Sequence, residues 1–410
     1  MMSDTSSRAT LGRPLCRTIA FLIFSLGFYL SANAQDVIRF GAALSLTGAK
    51  ATEGRLVKDG YDFYVKHVNE RGGIKIGDKM YEVEIVYYDD ESNPSTAAKL
   101  TEKLIVEDGI KFLLGPYSSG ATFPASSVAE KYQVPMVEAH GAASTIFERG
   151  YKYIFATLNS VDQYTSNIVQ MAYDAQPRAQ RVALINENSL FPQLGIDGAD
   201  RQAKALGLDV VFKVKYPSGT KDLSSVLAAM QETKPDILIA GGYTGDMILL
   251  ARQAGEMGVS VKMMGFLLGP TLPGFVDALG DQAENLLEPI QWSSNMPWKD
   301  DVFGYTAAEY AELFKRDFGY EPDYHPPQSS AALLVYHHAL QKLGGDFDPK
   351  KVRDAIAETD IMTFYGPIRF NEKGQNIAKS MAVIQIQGGI PVVVYPDTHA
   401  QGKFIYPMRK

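Results

Sequence analysis

The chain has 410 residues, with hydrophobic residues at 46% and charged residues at 21%. That length fits two domains or one large α/β body, and that composition excludes wholesale disorder. A formal charge of −7 argues against nucleic acid or an anionic lipid surface as partner.

The first segment reads as a secretory signal. Arg8, Arg13 and Arg17 form a basic stretch, residues 19–30 (IAFLIFSLGFYL) are apolar, and Ala32-Asn33-Ala34 offers the small-x-small pattern of a cleavage site. The apolar run is too short for a membrane span. Cleavage after Ala34 is expected, giving a periplasmic protein. Residues 1–34 carry three Arg and one Asp, a net +2, so their removal takes the charge from −7 to −9. The one cysteine, Cys16, precedes the apolar run and would leave with it. The mature chain is therefore expected to hold no disulfide, free thiol or lipid, and nothing later approaches 18 apolar residues.

Residues 37–44 (VIRFGAAL) predict a buried strand, followed by a turn at Ser45-Leu46-Thr47-Gly48. Leu56, Gly60, Tyr64 and Val68 recur at helical spacing, and Arg71-Gly72-Gly73 ends that helix. Residues 81–88 are β-rich. Asn93-Pro94 supplies a cap and a first-turn proline for a helix reaching about residue 107. A third strand at 111–114, a loop at 115–120, a helix and then Pro135-Met136-Val137 complete a fourth unit. The rhythm restarts after Asn159, with strands at 181–185, 208–214, 236–240 and 261–265 and helices near 195–206, 222–231 and 244–257. Such alternation means parallel sheets covered by helices on both faces. Residues 305–358 are mostly helical, at 307–318, 329–343 and 349–358, and the tail after Met381 (AVIQI, then PVVVY) is strand-like. A helical return followed by late strands predicts that the chain crosses between lobes more than once.

In open parallel sheets, ligands bind beyond the carboxyl ends of the strands, where helix N-termini present free N–H groups. Two loops qualify. The first is Gly115-Pro116-Tyr117-Ser118-Ser119-Gly120-Ala121, whose hydroxyls and N–H groups suit a carboxylate or simply cap a helix. The second is Glu138-Ala139-His140-Gly141-Ala142-Ala143-Ser144. No G-x-S-x-G, H-E-x-x-H, P-loop or G-x-G-x-x-G is present, and the six histidines lack metal spacing, so no cofactor or metal is expected. His140 reads as a polar wall residue. Tyr117 and Tyr243 suit the lining of a small-ligand pocket.

In order and spacing, a set of segments resembles the leucine/isoleucine/valine-type periplasmic binding proteins of ABC importers, with the type I periplasmic-binding fold. These are residues 40–48 (FGAALSLTG), Asp59-Gly60, residues 68–74 (VNERGGI), Tyr88-Asp89-Asp90, residues 114–119 (LGPYSS), Val134-Pro135, residues 365–370 (YGPIRF) and Lys373-Gly374. The resemblance implies an α/β protein of two Rossmann-like lobes, with parallel sheets flanked by helices, joined by a three-crossing hinge. The expected N-terminal lobe is 35–158 plus 290–372, and the C-terminal lobe 159–289 plus 373–410, with the third crossing near 370–382. It implies a ligand carboxylate held by the Ser119 hydroxyl, with Tyr117, Ser118 and Gly120 around it, and a second hydroxyl position near Ala142, Ala143 or Ser144. Aromatic cleft positions fall on Phe191 and Tyr243. The family's acid for a ligand ammonium falls near Phe266-Leu267-Leu268, where no acid stands, so Glu53, Glu138 or Asp162 would have to replace it.

The leading expectation is a monomeric, non-enzymatic solute-binding protein that captures a small carboxylate-bearing ligand by hinge closure and delivers it to ABC importer permease subunits. The family default is a branched-chain-like amino acid. The alternatives are an aromatic or aliphatic carboxylate or amide lacking an ammonium, a sensory binding protein of the same fold, and a secreted hydrolase using Ser119 and His140.

Overall fold

The computed structural model describes residues 36–408. The expected signal and its cleavage site lie outside the described residues. The chain opens with β1 (Asp36–Leu44), α1 (Ala51–Asn69), β2 (Ile74–Ile76), β3 (Lys79–Asp89), α2 (Pro94–Val106), β4 (Leu113–Leu114), α3 (Ser119–Tyr132), β5 (Met136–Glu138), α4 (Ser144–Phe147) and β6 (Ile154–Ala156). These strands form a six-stranded sheet in the order β2-β3-β1-β4-β5-β6. All neighbours are parallel except the β2–β3 edge pair. The run Phe40–Leu44 is buried throughout because β1 is covered on both faces, and so it reads as continuous rather than alternating apolar sequence.

The second part comprises α5 (Ser166–Asp174), β7 (Arg181–Glu187), α6 (Leu190–Ala205), β8 (Asp209–Tyr216), α7 (Ser224–Glu232), β9 (Ile237–Gly241), α8 (Thr244–Glu256), β10 (Met263–Phe266), α9 (Phe275–Leu279) and β11 (Leu287–Ile290). After it come α10 (Ala307–Phe318), α11 (His325–Leu343), α12 (Pro349–Ala357), the antiparallel pair β12 (Asp360–Thr363) and β13 (Gly366–Arg369), and finally β14 (Ala382–Gln387) and β15 (Ile390–Tyr395). The second sheet has the order β15-β14-β11-β10-β9-β7-β8. Its strands β7 to β11 pair in parallel, and the two late strands join its edge antiparallel.

Local signals account for many boundaries. Asn93 Oδ1 accepts the N–H groups of Ser95 and Thr96 at 2.9 and 3.1 Å, starting α2 as its sequence predicts. Thr306 and Glu309 form a capping box for α10, and Gly319 ends it in the left-handed region. Two helices depart from expectation. Helix α11 starts at His325, four residues before the predicted 329, because Pro326 and Pro327 occupy its first turn, where no N–H is needed. Helix α6 likewise begins at Leu190 rather than near 195. The short elements β2, β6, α5, β11, β12 and β13 were too brief or irregular to be read from periodicity.

Three crossing segments run between the sheets: after β6, after β11, and between β13 and β14. They are bonded to one another. Asn376 Nδ2 donates to the Thr157 carbonyl at 2.9 Å, Asn159 Nδ2 to the Lys379 carbonyl at 2.8 Å, and Lys379 Nζ to the Gln291 carbonyl at 2.7 Å.

Helix α11 packs on the first sheet across α1. Tyr336 donates to the carbonyls of Leu113 and Pro135 (2.8 and 2.7 Å apart from its hydroxyl), and Ser330 donates to the Gly60 carbonyl at 2.6 Å. A Cβ at Gly60 would stand 2.6 Å from Pro326 Cα and collide with that residue's carbonyl. Helix propensity alone favours alanine over glycine by about 1 kcal/mol, but overpacking of this kind costs about 1–3 kcal/mol. Gly60→Ala is therefore expected to lower the melting temperature by a few degrees. A calorimetric scan that finds it raised would show that α11 yields easily.

Candidate functional site

In each sheet the strand order reverses around the first strand of its set. In the first sheet β1 lies between β3 and β4, and in the second β7 lies between β8 and β9. Loops leaving adjacent strands in opposite directions open a crevice at such a point. A cavity lies among the loops that follow these strands. Tyr117 and Ser118 follow β4, His140 and Ala142 follow β5, Phe191 follows β7, Tyr243 follows β9 and Leu268 follows β10. Leu158 and Tyr164 come from the first crossing, and Tyr324, His325 and Gln328 from the start of α11. The space not filled by atoms, open solvent included, is about 300 Å³.

The wall is aromatic. Tyr117 and Tyr243 meet at 6.3 Å between ring centroids, Tyr243 and Phe191 at 6.0 Å, and Phe191 and Tyr164 at 6.1 Å. The His140 and His325 rings stack at 5.1 Å and 15°. Ser118, at the N-terminus of α3, has a φ of 82°, a backbone region nearly reserved for glycine, and such strain persists where the surroundings enforce it. Its hydroxyl accepts the Ala121 N–H at 3.4 Å.

The hydroxyls at this helix start face different ways. Ser118 lines the cavity, whereas Ser119 is fully buried and its Oγ accepts the Ala143 N–H at 3.0 Å, tying the second loop to the first. Gly120 lies in the first turn of α3 rather than in a loop. Ala142 lines the cavity, Ala143 is buried behind it, and Ser144 opens α4 and bonds Asp162. Leu267 is buried beside Gly195, and its neighbour Leu268 is the one that lines the cavity.

Each of the three substitute acids already has partners. Glu53 lies in the first turn of α1 rather than in the preceding loop, and its Oε1 accepts both the N–H (3.2 Å) and the hydroxyl of Thr244, at the start of α8. Glu138 is the last residue of β5. Its carboxylate accepts the N–H groups of His140 and Gly141 and the hydroxyl of Thr122, the last two at 2.7 and 2.8 Å. Gly115 leaves the room this carboxyl needs, since a Cβ there would strike it. Asp162 stands in a short 3₁₀ turn. Burial pushes its carboxyl upward, but bonds from Ser144, Ser160 and Arg201 outweigh this and hold it below the usual carboxylate range.

The α11 contribution lies outside the loops that sequence reasoning singles out, at a helix start predicted four residues too late. Asp323 accepts the His325 N–H at 3.1 Å and holds the same residue's Nδ1 at 2.6 Å. His140 is bonded at both nitrogens: Nδ1 to Gln328 Nε2 at 3.3 Å and Nε2 to Ser329 Oγ at 2.8 Å. Ser329 gives its one proton to the His325 carbonyl at 2.9 Å. It must therefore accept from His140, which is the neutral Nε2–H tautomer. Burial, and then the neighbouring His325, keep the His140 imidazole from charging near neutral pH. With both nitrogens engaged, His140 has no free lone pair to serve as a base for Ser119, whose hydroxyl is itself tied to Ala143.

The family model described as periplasmic binding protein matches residues 37–390, and the chain belongs to that family. It is similar to binding proteins of the leucine/isoleucine/valine type. Leu/Ile/Val-binding protein homolog 8 of Brucella suis is 28% identical over 397 residues, covering 92% of this chain and 96% of the relative. The leucine binding protein LivK of Thermotoga maritima superposes with a TM-score of 0.77 at 23% identity, covering 87% of this chain and 97% of its own. A solute binding protein of an ABC transporter from R. palustris, solved in complex with benzoate, gives 0.75 at 20% identity, covering 87% and 95%. These likenesses establish the type I fold of two α/β lobes. Among the described residues no helix is long and apolar enough to cross a membrane.

Two buried carboxyls at strand ends carry a stability cost. Burial pushes Glu138 up to about 7 and Glu288, at β11, up to about 8. Glu288 Oε2 accepts the Thr271 N–H at 2.7 Å, while Oε1 has no partner. Both folded values lie above the ordinary 4.5, so the folded state holds these protons more firmly than the unfolded state does. Their favourable share is full below that ordinary value and is lost as pH rises through the folded one. Glu288→Gln is expected to flatten the fall in stability between pH 5 and 8 by about 2–4 kcal/mol. Chemical denaturation across that range measures it, and an unchanged slope would clear Glu288 of the effect.

Proposed function

We propose that this chain is a periplasmic solute-binding protein that encloses a small aromatic carboxylate lacking an ammonium group and presents it to an ABC importer. The observation that carries this reading is an aromatic-walled cavity at the carboxyl ends of strands from both sheets, with Glu138 and Asp162 bonded to protein through both oxygens and Glu53 through Oε1. An α-ammonium buried there without a carboxylate would cost several kcal/mol, whereas a flat ring matches walls formed by Tyr117, Phe191, Tyr164 and Tyr243. The benzoate complex of the R. palustris protein supports this reading, and the leucine-binding relatives support the family default of an aliphatic amino acid. The importer and the periplasm follow from what such relatives serve, together with the signal expected at residues 1–34.

We place the lobes at 35–158 plus 290–372 and 159–289 plus 373–410, swinging about the three crossings. Glu53 with Thr244, and Tyr117 with Tyr243, are then contacts of the closed form. A ligand that touches both lobes favours closure by its differential contacts. Small-angle scattering is expected to give a smaller radius of gyration at saturating ligand, and an unchanged radius with a ligand of measured affinity would remove the hinge.

The ligand class is tested by calorimetry with benzoate and 4-hydroxybenzoate against leucine and phenylalanine. The aromatic acids are expected to bind more tightly, and the opposite order restores the amino-acid reading. The carboxylate grip is assigned to Ser118 at the start of α3, in place of Ser119. Ser118→Ala is expected to weaken benzoate binding by about 1.5–3 kcal/mol, tenfold or more. Ser119→Ala leaves the Ala143 N–H without its acceptor and is expected to lower stability by ~1–3 kcal/mol. Wild-type affinity in Ser118→Ala, with a large loss in Ser119→Ala, would return the grip to Ser119.

A further inference from the structure

His325 is distinct from the other polar residues of the cavity wall. It is 1% exposed, it lines the cavity, and its Nδ1 is held by Asp323 at 2.6 Å. Its Nε2, on the opposite edge of the ring, makes no hydrogen bond among the described residues and is not one of the fully buried atoms left without a partner, so it reaches open space. The ring is clamped between His140, stacked at 5.1 Å, and Tyr324, stacked at 4.3 Å, so it cannot turn to find one. Asp323 is fixed as well, because its other oxygen caps the backbone of the same residue at the first turn of α11. The result is an imidazole with one proton committed to a carboxylate and a second nitrogen presented to the cavity.

We propose that Asp323 and His325 are the anion-recognition pair of this cavity: His325 donates an Nε2–H to the carboxylate of the ligand and takes up one proton as the ligand binds. This rests on the carboxylate reading above. With Asp323 fixing the proton on Nδ1, the neutral ring would turn its Nε2 lone pair toward the incoming carboxylate, and two acceptors repel. An imidazole placed between two carboxylates must carry both protons. The second proton comes from the solvent and forms the Nε2–H bond, and no other bond breaks.

Few other groups near the ring can supply or withdraw that proton. Across from it, His140 stays neutral with both nitrogens engaged, and the Tyr117 and Tyr324 hydroxyls are pushed well above their ordinary range by burial. From β11, Glu288 acts on Asp323 and is itself largely protonated at neutral pH, since burial pushes it up to about 8. From α1, Glu53 reaches Tyr117 and is bonded to Thr244. The net charge brought into the closed cavity is then the ligand's −1 and the ring's +1, a pairing that a neutral amide would not require.

The test uses the mature protein, with benzoate and its neutral counterpart benzamide, by calorimetry at about pH 8, above the ordinary histidine range. Each titration is run in two buffers of different ionisation enthalpy. Benzoate binding is expected to show uptake of about one proton and benzamide binding none. His325→Gln is expected to lose benzoate affinity by about 10–100-fold, to keep benzamide affinity, and to lose the buffer dependence. Asp323→Asn, which leaves the ring but not its charge partner, is expected to reduce proton uptake and benzoate affinity while sparing benzamide. Retained benzamide binding shows that each variant is folded. Benzoate binding by His325→Gln at wild-type strength, or wild-type benzoate binding without proton uptake, overturns the proposal while the aromatic-acid reading stands. A wild-type protein that binds leucine and neither aromatic probe removes that reading, and this proposal with it.

Discussion

A lysine buried without a carboxylate ties the molecule together at its centre. Lys379 lies on the third crossing, and its Nζ donates to the carbonyls of Gln291 and Tyr365 at 2.7 and 3.1 Å while standing 3.1 Å above the Tyr365 ring. Gln291 belongs to the second crossing, and the Lys379 carbonyl accepts from Asn159 on the first. One residue thus bonds all three segments on which the lobes are joined. Burial drives the pKa of this amine well below the usual lysine range, the expected response of a cation deprived of water and given only carbonyl dipoles and ring faces in return. Losing those partners would leave a desolvated amine with nothing to donate to, so the crossings hold their arrangement more firmly than three peptide strands in water would.

From this centre a chain of hydrogen bonds reaches the cavity. Tyr365 donates to Gln328 Oε1 at 2.7 Å, with Gln291 Oε1 3.1 Å away, and Gln291 Nε2 donates to the Tyr164 hydroxyl at 2.6 Å. Gln328 in turn orients His140. Two cavity walls, Tyr164 on the first crossing and His140 on the second loop, are therefore set by groups in the hinge. Buried networks of this kind specify one arrangement when every member is satisfied. A ligand that reorients Gln328 or Tyr164 acts directly on the crossings, which is the physical route from an occupied cavity to a changed angle between lobes.

The sequence made the framework legible where a single local rule decides the outcome. The strands β1, β7 and β9 are apolar runs with no competing reading, and Asn93-Pro94 and Thr306 with Glu309 are caps whose chemistry is local. It failed where tertiary contacts decide. Ser118 and Ser119 are adjacent and chemically alike, and only the packing of Ala143 against α3 tells which hydroxyl faces the cavity. Leu267 and Leu268 pose the same problem at the end of β10. His325 stands almost two hundred residues from His140 in the chain, and its helix begins ahead of the predicted 329, so nothing local marks it as a cavity residue. The spacing of candidate acids in sequence was equally silent about their partners.

Those partners explain why acids near a binding cavity need not be contacts for a ligand. Glu138, Glu288 and Glu53 each stand at or near a strand end or helix start, where N–H groups are left over by the regular structure. Glu138 takes two of them from the second binding loop, Glu288 takes one from the loop after β10, and Glu53 takes one from the start of α8 across the cleft. A carboxylate used this way fixes the shape of a loop, and each lone pair that accepts such an N–H is withdrawn from an ammonium. Around the cavity this leaves the Ser118 hydroxyl at the start of α3 and the His325 ring backed by Asp323 as donors. On the proposed reading, such donors and aromatic faces favour a flat anion over a zwitterion of the same size, because the zwitterion must also find an acceptor for its buried ammonium.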